Sequence, residues 1–214
     1  MEKLRKNITI TLAGLIVSII LSSSSIAQMD IAFGPKVGLA VNSFRGAGAG
    51  KVEAETNWVH GLFFNLEPVT FITIQPEMIL NHKRDVQTMN DIRNKIDIVY
   101  LEFPALAKFK ISINNIYFPH LLIGSNIACN IHSNISSTDT QTGKVNENSP
   151  NIKRLDIGGI VGVGIDIKKE WAFFTLDVRY GLGFNNIGKN SNNLNIKNTG
   201  WSIAFGVGER FSNK

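Results

Sequence analysis

Apolar and polar residues alternate in one segment of the chain after another, and the helical spacing of apolar residues is almost absent. Between positions 155 and 167, for example, most odd-numbered residues are aliphatic, whereas the even-numbered ones include Asp156, Asp166 and three glycines. Successive side chains of a β-strand point to opposite faces of the sheet. The alternation therefore predicts strands with one apolar face and one face of charged and small residues.

Eight segments carry this alternation, and each is near the length of about 9–11 residues with which a tilted strand crosses a bilayer. An even number of antiparallel strands is what a closed barrel of the bacterial outer membrane requires. The count and the lengths therefore predict a membrane-spanning barrel. The segments are residues 31–41, 58–66, 70–80, 96–109, 116–126, 154–167, 171–183 and 200–211.

The connections between the segments are alternately long and short. Outer-membrane barrels have long loops on the outside and short turns on the periplasmic side, and a soluble β-sandwich has no reason for this asymmetry. We therefore predict that both ends of the barrel chain face the periplasm. The long polar connections are residues 42–57, 81–95, 127–153 and 184–199, and the short ones lie near residues 67–68, 112–115 and 168–170.

Charged residues on the face opposite the aliphatic rows separate a barrel from a β-sandwich, whose strands would also alternate. A small barrel encloses such residues in its lumen, whereas a sandwich would expose them to water. The sequence thus predicts an all-β fold, an eight-stranded antiparallel up-and-down transmembrane β-barrel. Prolines remove a ladder donor, and we expect bulges or strand ends at some of four prolines inside the segments. These are Pro35, Pro76, Pro104 and Pro119.

The N-terminus predicts export. Three basic residues within the first six precede an uncharged, mostly apolar stretch over residues 8–21, which is followed by the small-x-small triplet Ser25-Ile26-Ala27. This is the pattern of a secretory signal peptide cleaved before Gln28, and the apolar stretch is shorter than the roughly 20 residues of a spanning helix. We predict a signal peptide at residues 1–27 and one outer-membrane barrel domain at residues 28–214.

Composition narrows the function classes further. The net charge is +5, and removal of one acidic and three basic residues with the signal peptide leaves +3, spread along the chain. Such a mild excess gives little support to nucleic-acid binding, and export weakens that interpretation again. Cys129 is the single cysteine, so an internal disulfide cannot form.

Six charged residues form the predicted polar network of the lumen. Eight strands leave an interior only wide enough for side chains to fill, and buried charges must be paired. We interpret the network as a structural set of ion pairs, in preference to a binding or gating site, and we expect no open pore. The Arg179 guanidinium should pair with at least one of three acids. The network is Lys36, Glu77, Glu102, Asp156, Asp177 and Arg179, and the acids are Glu77, Glu102 and Asp177.

The sequence contains no motif with the spacing of a known catalytic or metal site. His60 and His82 fall near loop ends, where a lipid-modifying barrel enzyme would use a histidine, but the spacing matches no triad. Glycines in residues 158–164 lack the GK[ST] ending of a phosphate loop, and no Cys/His cluster has metal-ligand spacing. We expect no catalytic residue, no cofactor and no metal. The aromatics predicted to form interface girdles are Trp58, Tyr117, Trp171, Tyr180 and Trp201.

Short motifs along nearly the whole mature chain resemble the PorT-like outer-membrane β-barrel family of Bacteroidetes. Residues 100–104, Tyr-Leu-Glu-Phe-Pro, look like the Tyr-Leu-Glu-Ile-Pro signature of that family, and Gly206 with Phe211 matches its C-terminal spacing, although Glu209 departs from it. The other matching motifs are residues 34–39, residues 74–77, Gly124, residues 156–158, residues 162–164 and residues 179–182. The resemblance implies an eight-stranded barrel, and for some members a link to protein secretion.

Three functions follow as alternatives. The first is a structural or interaction scaffold in the outer membrane, whose partners would be outer-membrane lipid, the barrel-insertion machinery and secretion-system or periplasmic proteins. The second is a lipid-modifying enzyme of the outer leaflet, and the third is a small-ligand carrier or narrow pore. The first is the leading hypothesis, and nucleic acid is not an expected partner.

Overall fold

The computed structural model of the protein describes residues 29–45, 52–54, 56–89, 92–139, 145–148, 153–186 and 197–211. They form ten β-strands: β1 (Asp30–Arg45), β2 (Val52–Ala54), β3 (Thr56–Val69), β4 (Ile72–Met89), β5 (Ile92–Lys110), β6 (Tyr117–Asp139), β7 (Val145–Asn148), β8 (Leu155–Lys168), β9 (Ala172–Gly183) and β10 (Lys197–Phe211). The signal peptide predicted at residues 1–27 lies outside the described residues. In the described part of the chain, no helix is long and apolar enough to cross a membrane.

Eight of the strands close into one antiparallel barrel. Their order around the wall is β1-β3-β4-β5-β6-β8-β9-β10. The wall closes where β10 pairs with β1, with Ile31 opposite Phe211 and Arg45 opposite Lys197. The predicted eight-stranded up-and-down barrel is confirmed. Closure removes the free sheet edge that hydrocarbon would not tolerate.

At one end of the barrel the strands run farther than the alternation predicts. β4 and β5 stay paired until Met89 meets Ile92, so most of the loop predicted at residues 81–95 is a β-hairpin. β6 likewise continues to Asp139 and pairs there with β7, inside the loop predicted at residues 127–153. Backbone pairing in water needs no aliphatic row, and the sequence of these extensions therefore shows no membrane-type alternation.

The short turns lie at the opposite end, together with Asp30 and Phe211. The turn between β3 and β4 falls at residues 70–71, beyond the predicted position at 67–68, because β3 continues past a register shift near its end. The next short turn contains Asn114 and Asn115, both at positive φ, a conformation that Asn adopts more readily than most residues. By the asymmetry of outer-membrane barrels, this is the end that we expect to face the periplasm.

Three of the four prolines inside the strands lie away from both bulges and strand ends. The register shifts of the described barrel strands fall near the end of β3 and just before Tyr100 of β5. Pro35, Pro76 and Pro104 each coincide only with a ladder gap on one side; Pro119 alone lies near a strand end. A missing donor costs one hydrogen bond, whereas a one-residue slip would turn a whole aliphatic row into the lumen.

The outward face of the wall is apolar and exposed, as a lipid-facing surface should be. Mid-strand Val161 and Val163 of β8 are 50% and 52% exposed. Trp201 and Tyr180 pack together near the long-loop end, with ring centroids 4.8 Å apart, and a second group of rings lies near the short turns. The second group includes Phe33, Phe64, Phe211, Tyr117 and Trp171. Two aromatic girdles thus flank the aliphatic band.

In the half of the lumen nearer the short turns, large side chains pack against positions occupied by small residues. Phe63 is fully buried and packs against Phe173, with ring centroids 5.7 Å apart. Glycine at position 206 makes room for that ring, because a Cβ there would lie 2.8 Å from Cε1 of Phe63. The interior is therefore packed with side chains at this level, as expected for eight strands.

Candidate functional site

The centre of the lumen holds a cluster of interlocked ion pairs. Arg179 on β9 donates from Nη1 to Glu77 Oε2 at 2.6 Å, and from Nη2 to Glu77 Oε1 at 2.7 Å and to Asp177 Oδ2 at 2.6 Å. Lys36 on β1 donates to Glu77 Oε1 at 2.9 Å and also contacts Asp177. All four residues are buried. The structure thus joins four of the six predicted residues, and the Arg179 guanidinium forms the bidentate pair that suits a carboxylate.

Three residues outside the predicted network extend the cluster on the other side of Asp177. The ammonium group of Lys108 lies 2.8 Å from Asp166 Oδ1 and 3.6 Å from Asp177 Oδ1. The His120 ring nitrogen Nε2 lies 2.9 Å from Asp177 Oδ1. A Cβ at Gly164 would approach both His120 Nε2 and Asp177 Oδ1 to 2.6 Å. Glycine on β8 therefore provides the space for this contact, in agreement with its interpretation as room for lumen neighbours.

These residues, which we call the middle layer, balance their charges. Apart from His120, three acids face three bases: Glu77, Asp166 and Asp177 against Lys36, Lys108 and Arg179. Ionised groups removed from water are tolerated only when they are paired and hydrogen-bonded. The layer spans the lumen from β1, β4, β5, β6, β8 and β9. It is a plug of neutral net charge.

One part of the middle layer has the composition of a metal site. The candidate ligand atoms of His120, Asp166 and Asp177 lie within 4.8 Å of one another. The Lys108 ammonium group already lies against both carboxylates and supplies the positive charge that a cation would bring. The donor set therefore fits a lysine-centred ion-pair cluster better than a metal ion.

A second polar cluster, the inner layer, closes the lumen at the periplasmic end. Lys168 Nζ lies 2.5 Å from Glu67 Oε2, and Lys110 contacts the same carboxylate. Both ammonium groups lie over the ring of Phe118, at 4.5 Å and 5.3 Å from its centroid. The two lysine side chains and the phenylalanine ring leave little free space at this level of the lumen. Here the lumen is filled from β3, β5, β6 and β8.

The other two predicted residues, Glu102 and Asp156, lie nearer the long-loop end in what we call the outer layer. Glu102 accepts hydrogen bonds from Asn81 at 3.1 Å and Asn126 at 3.0 Å, and its Oε1 lies 3.2 Å from Lys83 Nζ. Asp156 accepts one hydrogen bond, from Asn198 at 2.6 Å. The predicted network is therefore divided between two layers instead of forming one.

A cavity of about 100 Å³ lies between the outer and middle layers. Lys36 and Arg179 of the middle layer line it, and so do Glu102 and Asp156 of the outer layer. Five glycines of β8, β9 and β10 also line it, and the absence of side chains at these positions leaves space in the lumen. They are Gly158, Gly159, Gly181, Gly183 and Gly200.

The two histidines considered as catalytic candidates lie on the outward face of the wall. Their rings stack with centroids 6.1 Å apart, and His60 is exposed while His82 is half-buried. Within the described residues, neither ring nitrogen is hydrogen-bonded to a serine or an acid. The contacts at these two side chains are therefore not those of a catalytic triad.

Several lumen residues escaped the sequence-based prediction for different reasons. Lys108 shares the parity of Glu102 in one uninterrupted strand, so parity alone could have found it. Glu67 and Lys168 fall where the sequence predicts turns, although each still lies in its strand. His120 was hidden because its inward neighbours Phe118 and Leu122 are apolar and blur the alternation of β6.

Comparison with solved structures finds β-barrel proteins of the outer membrane. The outer membrane protein OprG of Pseudomonas aeruginosa matches with a TM-score of 0.54 and 15% identity, over 86% of this chain and 96% of that one. Ail, the attachment invasion locus protein of Yersinia pestis, matches with a TM-score of 0.45 and 13% identity, over 84% and 98%. No curated protein matches the chain significantly. At these identities the likeness to OprG concerns the fold alone.

The closed wall, the lipid-facing rows and the plugged lumen define a β-barrel protein of the outer membrane. Residues 25–189 match the family described as outer membrane protein beta-barrel domain. The chain belongs to this family, and the predicted location in the outer membrane is confirmed.

Proposed function

We propose that the protein is a non-conducting, non-catalytic scaffold of the outer membrane that contacts partner proteins through its extended strands. The observation that carries this proposal is the middle layer, in which ionisable side chains from six strands meet across the lumen and are buried. A barrel whose centre is closed in this way lacks a water-filled path. The protein is then best suited to holding surfaces in place on the two sides of the membrane.

Planar-bilayer recording tests the closed lumen. We expect the purified full-length chain to insert without discrete channel openings, because an ion would have to separate Arg179 from Glu77 and Lys36 from Asp177 to pass. Breaking such buried pairs costs several kcal/mol, roughly 3–5 for one partner removed. Reproducible single-channel steps from the unmodified protein would overturn the non-conducting part of the proposal and favour a narrow pore.

The contact surface in this proposal is the sheet that rises from one side of the outer rim. β2 pairs with the β4 side of the β4–β5 hairpin, and β7 pairs with β6, which itself pairs with β5. These five strands form a continuous sheet in the order β2-β4-β5-β6-β7. A protein on the cell surface could recognise such a sheet. The resemblance to the PorT-like family makes a component of a secretion apparatus one partner to look for.

Site-specific photo-cross-linking in intact cells tests the contact surface. A photoreactive residue in place of Thr88, near the tip of the β4–β5 hairpin, should give defined cross-linked protein bands that mass spectrometry can identify. The same residue at mid-strand Val161, which faces lipid, is the matched control and should give none. Equal labelling at the two positions, or none at the hairpin, would contradict an interaction role for this sheet.

A further inference from the structure

The cavity between the outer and middle layers contains a carboxylate that forms no ion pair with the described residues. Asp156 is 5% exposed, and its single hydrogen bond comes from the neutral amide of Asn198 to Oδ2. Its other oxygen, Oδ1, has no hydrogen-bond partner among the described residues. Lys36 and Arg179 also line the cavity, but both are committed to acids of the balanced middle layer.

The charges of the outer layer do not cancel. Its acids are Glu102 and Asp156, and its one base is Lys83, which lies 3.2 Å from Glu102. One negative charge is therefore left over among the described residues of this layer. Water in the cavity would give Asp156 a hydrogen bond but would not neutralise it, and a buried isolated carboxylate is costly. A bound cation would remove this excess charge.

A second acceptor lies beside Asp156. The side-chain oxygen of Asn126 is buried without a partner, while its amide nitrogen donates to Glu102. Register places Asp156 opposite Ala128 and Asn126 opposite Gly158, so the two acceptors are diagonal neighbours on β6 and β8. Diagonal neighbours are about 7–8 Å apart at their Cα atoms. A group with several donors and a positive charge fits between them, and an ammonium group has three donors.

The opposite wall of the cavity is apolar. Ala40, Val59 and Ile79 form a buried cluster on β1, β3 and β4 and line the cavity. In the eight-strand order, β3 stands across the lumen from β8, so this cluster faces the side that carries Asp156. The cavity therefore combines an anionic wall and an aliphatic wall within about 100 Å³.

We propose that this cavity binds a short aliphatic primary amine, with its ammonium group on Asp156 and Asn126 and its carbon chain against Ala40, Val59 and Ile79. A bare metal ion would leave the aliphatic wall without a contact. A neutral alcohol would leave the charge of Asp156 uncompensated. The inference goes beyond the scaffold function, because binding in the outer half of the lumen leaves the middle layer closed.

Calorimetric titration of the full-length protein in detergent with propylammonium chloride tests the proposal, with 1-propanol and potassium chloride as comparison probes. We expect saturable one-to-one binding of propylammonium alone. Asp156→Asn should weaken it at least tenfold, since the variant keeps the shape and removes the charge. Asp97→Asn is the matched control, because this half-exposed carboxylate pairs with Arg84 away from the cavity. It should bind the amine like the unmodified protein.

A variant that fills the cavity tests the proposal even if Asp156→Asn does not fold. A Cβ at Gly181 would meet only one atom within 4 Å, the Gly200 carbonyl oxygen at 3.9 Å, so Gly181→Val should fold and occupy the cavity. It should abolish propylammonium binding and the rise in unfolding temperature that the amine gives the unmodified protein. Absence of saturable heat with the unmodified protein, equal binding of 1-propanol, or full binding by Gly181→Val would each overturn the proposal.

Discussion

Single charged residues of the lumen form ion pairs with more than one partner each. Asp177 has four neighbours within ion-pair distance: Lys36 and Arg179 at Oδ2, and Lys108 and His120 at Oδ1. Because each base also reaches a second acid, removal of one base affects more than one pair. Coupled groups of this kind respond to substitution as a unit, and their energies do not add.

At this scale we predict that Arg179→Met destabilises the barrel by about 3–5 kcal/mol, because Glu77 and Asp177 then lose a buried cationic partner. The measurement is guanidinium-induced unfolding in detergent, followed by fluorescence of the three tryptophans. Arg84→Met is the control, since its side chain is 47% exposed and an exposed pair contributes at most about 1 kcal/mol. Equal losses for the two variants would show that burial of the layer does not matter.

The sequence identifies lumen residues by their odd or even position in each strand. This position does not tell how deep a residue lies along the barrel axis. The prediction therefore put Glu102 and Asp156 into one network with Lys36 and Arg179. The depth of each residue depends on strand tilt and register, which place Glu102 and Asp156 on either side of Ala128 in a row of their own. Register is set by pairing with other strands, so a single sequence does not contain it.

The strands follow the alternation closely where they meet lipid and depart from it outside the membrane. All eight predicted segments correspond to barrel strands, because hydrocarbon on one face and a crowded lumen on the other constrain every residue. Beyond the outer rim both faces of β4, β5 and β6 lie outside the membrane, and that constraint ends. The extensions to Met89 and Asp139 could therefore not be predicted from alternation.

For the strands we predict that the cost of a charge on the outward face depends on depth. Val161→Arg, at the middle of β8, should destabilise by about 2–4 kcal/mol, whereas Leu155→Arg, on the same face at the outer end of β8, should cost about 0–1 kcal/mol. Unfolding from lipid vesicles measures both. Similar costs would mean that the aliphatic rows do not lie across a bilayer.

The molecule as a whole combines a membrane-embedded barrel with a surface sheet that depends little on it. The wall closes through β1 and β10, and the polar layers fill it, while the β4–β5 hairpin beyond Asp85 pairs only with its neighbours outside the lumen. Closure was predictable from the even strand count and the turn asymmetry. The surface sheet was not, since polar strands and polar loops have similar compositions.

We predict that the barrel tolerates removal of that hairpin. Asp85 and Ile96 face each other in the ladder, so an Asn-Gly turn between them can replace residues 86–95. The free energy of unfolding should change by no more than about 1 kcal/mol, because the lumen contacts remain. Co-purification of the partner proteins that cross-link to Thr88 of the full-length chain should be lost in cells. A shortened chain that no longer folds would mean that the sheet is part of the barrel's stability.

The large sequence separation between partners of the central ion pairs determines when these pairs can form during assembly. Lys36 and Asp177 are separated by 141 positions, and Glu77 and Arg179 by 102. Lys36 can pair with Glu77, and Arg179 with Asp177, before these distant parts of the chain meet, but the complete set of ion pairs forms only when β9 joins β1 and β4. A strand that entered hydrocarbon before that moment would carry charges that lack part of their partners, at a cost of several kcal/mol. We therefore expect the strands to insert into the membrane at nearly the same time as β10 pairs with β1. The complete set of salt bridges then stabilises only the closed barrel.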